Sequence, residues 1–236
     1  MKPDSLSRVD SKHIDRGIWA IWYELSDEHR PEYESWFHQV HIPEKLSRPG
    51  YLWAAHYALE ADKGYLALFG GATAHTFLNP SPSQLAKRQV AETRRFMQMR
   101  QQSSTCILAE EVRVDGPDAE KRGPHGTPGP VIQFGNYNAA SPAVEDELGS
   151  WYAQERLPLL AKLPGCVGAR KMLATVGAHK HAILHEFVSL EMRERHFGPH
   201  EAEAHDPKTW MGRVRPQLTH APRSPAIGRR IWPAVE

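Results

Sequence analysis

Cysteine is scarce. Cys106 and Cys166 are too few for a disulfide framework, and their separation is not that of a zinc-binding pair. One bridge can be drawn between them, and two buried free thiols are the simpler reading. An excess of one charge is also missing. The 236 residues carry 29 Lys and Arg against 28 Asp and Glu, a formal charge of +1. Such a balance gives no long-range field to draw in nucleic acid or an anionic membrane. No apolar run approaches the roughly 18 residues of a membrane span. The stretch from Met1 to Gly17 is polar and lacks the apolar core of a secretory leader. Gly70-Gly71 is not continued into a phosphate-binding loop, and there is no Gly-x-Ser-x-Gly elbow, which argues against nucleotide cofactors and serine hydrolysis. The expectation is a soluble cytoplasmic protein with no nucleic-acid or membrane partner.

Hydrophobic residues make up 40% of the chain and charged residues 24%, a composition that folds. The length suits two domains of about 100 residues. Residues 115–130 are rich in Gly, Pro and charge, lack apolar periodicity and read as a linker. The parts on either side repeat. Residues 36–50 lie over 151–165 without a gap, at an offset of 115. Trp36 meets Trp151, Gln39 meets Gln154, Pro43 meets Pro158, and Pro49-Gly50 meets Pro164-Gly165. The same offset sets Trp19 on Phe134 and Trp22 on Tyr137. This is an internal duplication.

In each copy the runs read β-α-β-β-α-β. Strands are expected at Gly17–Glu24, Tyr51–Ala58, Tyr65–Phe69 and from Thr105, with helices at Asp27–Ser47 and Ser83–Gln101 and a turn at Asp62–Gly64. The second copy has strands at Val131–Asn138, Cys166–Leu173, His181–Val188 and around Ile227–Trp232, with helices at Val144–Leu163 and Pro207–Leu218. The expected divisions are a tail at 1–16, ferredoxin-like units at 17–114 and 131–236, and the linker between them.

A helix carrying His-x-Pro, then Pro-Gly and an aromatic strand, here His41-Ile-Pro43 and Pro49-Gly-Tyr51, resembles the EthD-like branch of the dimeric α+β barrel superfamily. The resemblance implies an α+β fold in which two ferredoxin-like units pair their antiparallel sheets into one barrel. A tandem chain supplies both units itself, so a further homodimer is compatible but not required. It also implies a small-ligand pocket between sheet and helices, and chemistry such as cofactor-independent oxygenation, isomerisation, decarboxylation or dehydration, with haem bound in a few branches.

Helical periodicity groups Tyr33, Trp36, Phe37 and Val40 on an inner face, with His41 at its edge and His38 toward solvent. His41 is the candidate general acid/base of the first half. Tyr23, Trp36 and either His56 or Tyr57, which lie on opposite faces of one strand, would shape its pocket. Four tryptophans in this half suit a flat, apolar substrate or a well-filled core alike. In the second half Glu155 replaces Val40, Arg156 replaces His41 and Lys171 replaces His56. Glu155 and His185 form a competing acid/base pair there, with Tyr152 and Asn138 as binding residues. Alternatively, Glu155 makes a structural salt bridge with Arg170 or Lys171. The polar run from His196 to His205 reads as a solvated loop, and no metal site is expected. Two functions stand: a cofactor-independent lyase, isomerase or oxygenase acting on an apolar aromatic compound, or a non-catalytic binder of haem or a hydrophobic metabolite.

Overall fold

The computed structural model describes residues 15–61 and 64–235. The earlier part of the tail, and Asp62 and Lys63 of the expected turn, lie outside the described residues. The first half runs β1 (Gly17–Glu24), α1 (Arg30–Trp36), α2 (Ile42–Leu46), β2 (Tyr51–Leu59), β3 (Gly64–Gly71), α3 (Pro82–Lys87), α4 (Ala91–Gln98) and β4 (Gln101–Asp115). The second runs β5 (Val131–Ala139), α5 (Pro142–Trp151), α6 (Leu157–Leu160), β6 (Cys166–Val176), β7 (His181–Phe187), α7 (Leu190–Met192), α8 (Gly198–Ala202), α9 (Trp210–Val214), β8 (Leu218–His220) and β9 (Ala226–Trp232). No helix among the described residues is long and apolar enough to cross a membrane.

Each half has the ferredoxin-like strand order, β4-β1-β3-β2 in the first and β9-β5-β7-β6 in the second. The halves join twice, β4 to β6 and β2 to β9, all antiparallel. Among the described residues eight strands thus close into one barrel, which leaves no long edge unpaired. The Pro-Gly stop before β2 and β6 has one cause in both copies: Gly50 and Gly165 sit at φ 83° and 80°, where a side chain is strained.

Strand alternation sorts the apolar side chains into three clusters. Ile18, Ala20 and Trp22 of β1 turn into the barrel with Trp53, Leu66, Leu108, Ile132, Phe134, Met172 and Leu184. Trp19, Ile21 and Tyr23 turn out under α1, α2 and α4 with Tyr33, Trp36, Phe37 and Phe96. A matching outer core in the second half holds Tyr137, Leu148, Trp151, Tyr152, Leu160 and Phe197. The first-strand alignment is corrected here. Trp19 faces the helices whereas Phe134 faces the barrel, so offset 115 does not extend into β1. A shift of one residue restores the faces, pairing Ile18 with Ile132 inside and Tyr23 with Tyr137 outside.

One end of the barrel is ionic. Glu186 and Arg170 are fully buried, and the Arg170 guanidinium donates to Glu186 at 3.4 Å and to Asp15 at 2.6 Å. Arg122 and the Gly129 N–H, from the segment expected as a linker, also donate to Glu186, at 3.1 Å each. Tyr57 donates to the Pro128 and Gly129 carbonyls of the same segment. The Gly/Pro segment therefore stoppers the barrel as well as joining the halves. Arg170 is thus engaged by Asp15 and Glu186, and Lys171 by Glu111, so neither pairs with Glu155. The run from His196 to His205 is helical rather than a loop, because Arg193 and Phe197 bury one side of it against β5 and β7.

Candidate functional site

Both long helices contain a π turn at the same point of the repeat, Phe37–His41 and Tyr152–Arg156. In each, an N–H bonds five residues back, Ile42 to Phe37 and Leu157 to Tyr152. The wider turn delays the helical phase of the next residues, so the buried face passes from Phe37 to His41 and skips Val40. Val40 is 48% exposed, and Glu155 at the matching position is exposed too. His41 and Arg156 are buried instead. This overturns the placement of Glu155 on the inner face, which assumed a uniform α-helix. Its carboxylate accepts the Trp151 indole N–H at 3.2 Å and does not join His185.

His41 opens on a pocket of about 540 Å³ between α2 and the α3–α4 helices. α2 supplies Lys45, and the residues flanking it supply His41 before and Arg48 after. Glu44, Tyr51 of β2, Leu85, Arg88, Val90 and Thr93 are among the other residues of its walls. The His41 ring stacks on Trp36 at 4.8 Å and Phe37 at 5.5 Å, and its Nδ1 is buried without a hydrogen-bond partner. Lys45 is only 5% exposed, and its amine lies 4.8 Å above the Trp19 ring. No described residue gives that amine a hydrogen bond or a carboxylate within salt-bridge distance. Arg48, one turn on, takes the nearby carboxylate of Glu44 at 2.7 Å.

These positions set the protonation states. Burial pushes the Lys45 amine down to about 7, helped by the positive charge of Arg48, with Glu44 only partly opposing. Burial pushes His41 down to about 2, and the cations of Lys45, Arg100 and Arg48 push the same way. His41 is therefore a neutral imidazole at physiological pH and a weak base. Lys45 is the group that can gain and lose a proton near neutrality.

Sequence reasoning missed Lys45, although the repeat carried a signal for it. At the same offset the second half has Leu160, fully buried, and it has Leu163 where the first half has Arg48. A lysine and an arginine standing where the twin buries leucines mark a face that has turned from packing to binding.

The other expected residues separate into distinct settings. Trp36 backs His41 and stacks on Phe96 at 4.4 Å. Of the pair on β2, His56 faces the helices and Tyr57 faces the barrel interior, so Tyr57 leaves the list of pocket residues. Tyr23 and His56 lie behind the pocket in a buried chain, the tyrosine hydroxyl 2.7 Å from His56 Nε2. His56 Nδ1 lies 2.8 Å from Nε2 of half-buried His38, so His38 is engaged inward rather than left to solvent. Asn138 closes the β6–β7 turn, accepting from the Lys180 N–H and donating to the Ala178 carbonyl, and lines no pocket with His185. Tyr152 and His185 do meet, across a second, smaller cavity of about 70 Å³. Among the described residues no group of three or more His, Cys, Asp or Glu side chains could hold a metal ion.

No protein-family model matches the sequence, and no curated protein matches it. Solved structures do match along nearly the whole chain. An anthrone oxidase-like protein superposes with a TM-score of 0.60 at 12% identity, covering 93% of this chain and 92% of its own. A chlorite dismutase-like protein gives 0.57 at 14% identity, covering 92% and 95%. A heme-binding protein from Thermus thermophilus gives 0.53 at 14% identity, covering 92% and 91%. At these identities the likeness is one of architecture, and with the strand order above it shows that this chain folds as a dimeric-type α+β barrel, with both units on one polypeptide.

Proposed function

We propose that the chain is a cofactor-independent enzyme that moves a proton on a small, largely apolar and aromatic molecule in the first-half pocket. The observation that carries this reading is Lys45: a side chain only 5% exposed whose amine has no hydrogen bond or carboxylate partner among the described residues and opens on a cavity of about 540 Å³. A cavity of this size suits a small organic ligand. Leu85, Val90 and Tyr51 would face its rings, and Arg48 and Arg88 its acidic edge. The neutral Lys45 amine takes a proton from an acidic O–H or C–H of the substrate. The resulting ammonium and Arg48 then stabilise the anion left behind, while neutral His41 offers a hydrogen bond without competing for the proton. The motif residues His41, Pro49 and Tyr51 converge on this pocket, which supports the EthD-like branch. The anthrone oxidase-like neighbour suggests the substrate class, a polycyclic aromatic with an acidified C–H.

The test is deuterium exchange at the acidic C–H of anthrones in heavy water, followed by NMR. The wild type should accelerate exchange, and Lys45→Met should lose about 100- to 10,000-fold of that acceleration. His41→Ala should lose less. Exchange by Lys45→Met at the wild-type rate would reject the proposal.

Haem is the second reading, favoured by the same pocket. Neutral His41 can coordinate a metal, and Lys45, Arg48 and Arg88 can pair with propionate carboxylates. The cavity beside His185, about 70 Å³, has no room for a porphyrin. Haem, when bound, would supply redox chemistry to the pocket. This reading expects a Soret shift on titration with haemin that His41→Ala abolishes, and fails if the haemin spectrum is unchanged by the wild type.

A further inference from the structure

Arg156 is a buried cation with no carboxylate in ion-pair distance among the described residues, although Glu201, Glu203 and Glu155 act on it from further off. It is 8% exposed, its Nε is buried without an acceptor, and it makes no ion pair or hydrogen bond among the described residues. Its guanidinium lies over the rings of Trp151 and Phe197, at 5.1 and 4.4 Å. The nearby carboxylate of Glu201 is taken by Arg193 and Gln133. Across the same cavity stands His185, 4% exposed, with neither ring nitrogen hydrogen-bonded. Tyr137 donates to the Tyr152 hydroxyl at 3.2 Å, which leaves the Tyr152 proton free to donate elsewhere.

A guanidinium cannot shed its charge as a buried lysine can, so burial without a partner is costly unless an anion shares the site. Its planar fork matches a carboxylate. A space of about 70 Å³ admits only a few non-hydrogen atoms. We propose that the second half is a binding site for a small carboxylate the size of acetate, held by Arg156, with the His185 ring and the Tyr152 hydroxyl as further donors. The site is separate from the pocket around Lys45. The divergence of the two halves then has a chemical meaning, with a proton-transfer pocket on one side and an anion site on the other.

The test is thermal unfolding of the full chain in sodium acetate against sodium chloride at fixed ionic strength. Acetate should raise the wild-type Tm saturably beyond chloride, because it binds the folded state alone. Arg156→Met should lose the acetate-specific rise, Arg156→Lys should keep part of it, and Val40→Ala, at an exposed position of the first half, should keep all of it. A second readout needs no variant: acetate, and not chloride, should shift the His185 ring signals in NMR. A wild type indifferent to acetate beyond chloride, or an equal acetate rise in Arg156→Met, would overturn the proposal.

Discussion

Replacing Lys45 by methionine is expected to stabilise the protein at about pH 6.5 and to change little at about pH 10.5. The amine titrates at about 7 in the folded protein against an ordinary value of 10.5. Between those limits the unfolded chain binds a proton that the folded chain does not, so stability falls as pH drops through this window. At 1.36 kcal/mol per pKa unit the lysine costs the fold roughly 5 kcal/mol below about pH 7. Methionine fills a similar shape without a charge. The variant should therefore melt about 10 °C above the wild type on the acid side, with the curves converging on the alkaline side. Calorimetry across pH reads this directly. A variant less stable than wild type at about pH 6.5 would mean that the amine has a partner and the pocket is not poised as described.

Removing a charge that is paired has the opposite sign. Glu186→Ala should lower stability by about 3–5 kcal/mol, because Arg170 and Arg122 lose their shared carboxylate inside the barrel end. That corresponds to a Tm about 10 °C lower. Burial alone would raise the Glu186 carboxyl, but Arg122 and Arg170 outweigh it and hold the group below the usual carboxylate range. Its stabilisation is present above the ordinary carboxylate pKa and is lost as pH falls through and below it. The wild type should therefore lose stability more steeply than the variant on acidification, and equal slopes would show that Glu186 is not paired in the folded state.

These two residues also show what the amino-acid order made legible. The duplication was readable because Trp36 and Trp151, and the two Pro-Gly stops, recur without a gap, and both stops need a left-handed glycine. Strand faces followed from alternation once register was known, but register was not: one residue of slip between β1 and β5 put Trp19 and Phe134 on opposite sides. The π turns leave no mark in periodicity, so a uniform helix places Val40 and Glu155 inward, whereas His41 and Arg156 are the buried pair. His41 was found because it bordered an aromatic face. Lys45 was passed over because a lysine on a helix is ordinarily solvated, and only its comparison with Leu160 shows a charge set into a packing position. Arg170 and Glu186 come from the adjacent strands β6 and β7, where Glu186 sits opposite Gly168, and their meeting depends on a strand register that no local pattern encodes.

The central claim is that the Lys45 amine, with no hydrogen bond or carboxylate partner among the described residues, opens on a ligand-sized pocket, and amine acylation tests it most directly. The protein is treated with trace acetic anhydride across pH, and acetylation at each lysine is read by mass spectrometry. Lys45 should show half-maximal reactivity near pH 7, well below the ordinary lysine value of 10.5. Half-maximal reactivity of Lys45 at its ordinary value near 10.5, or no reactivity at any pH, would contradict the account.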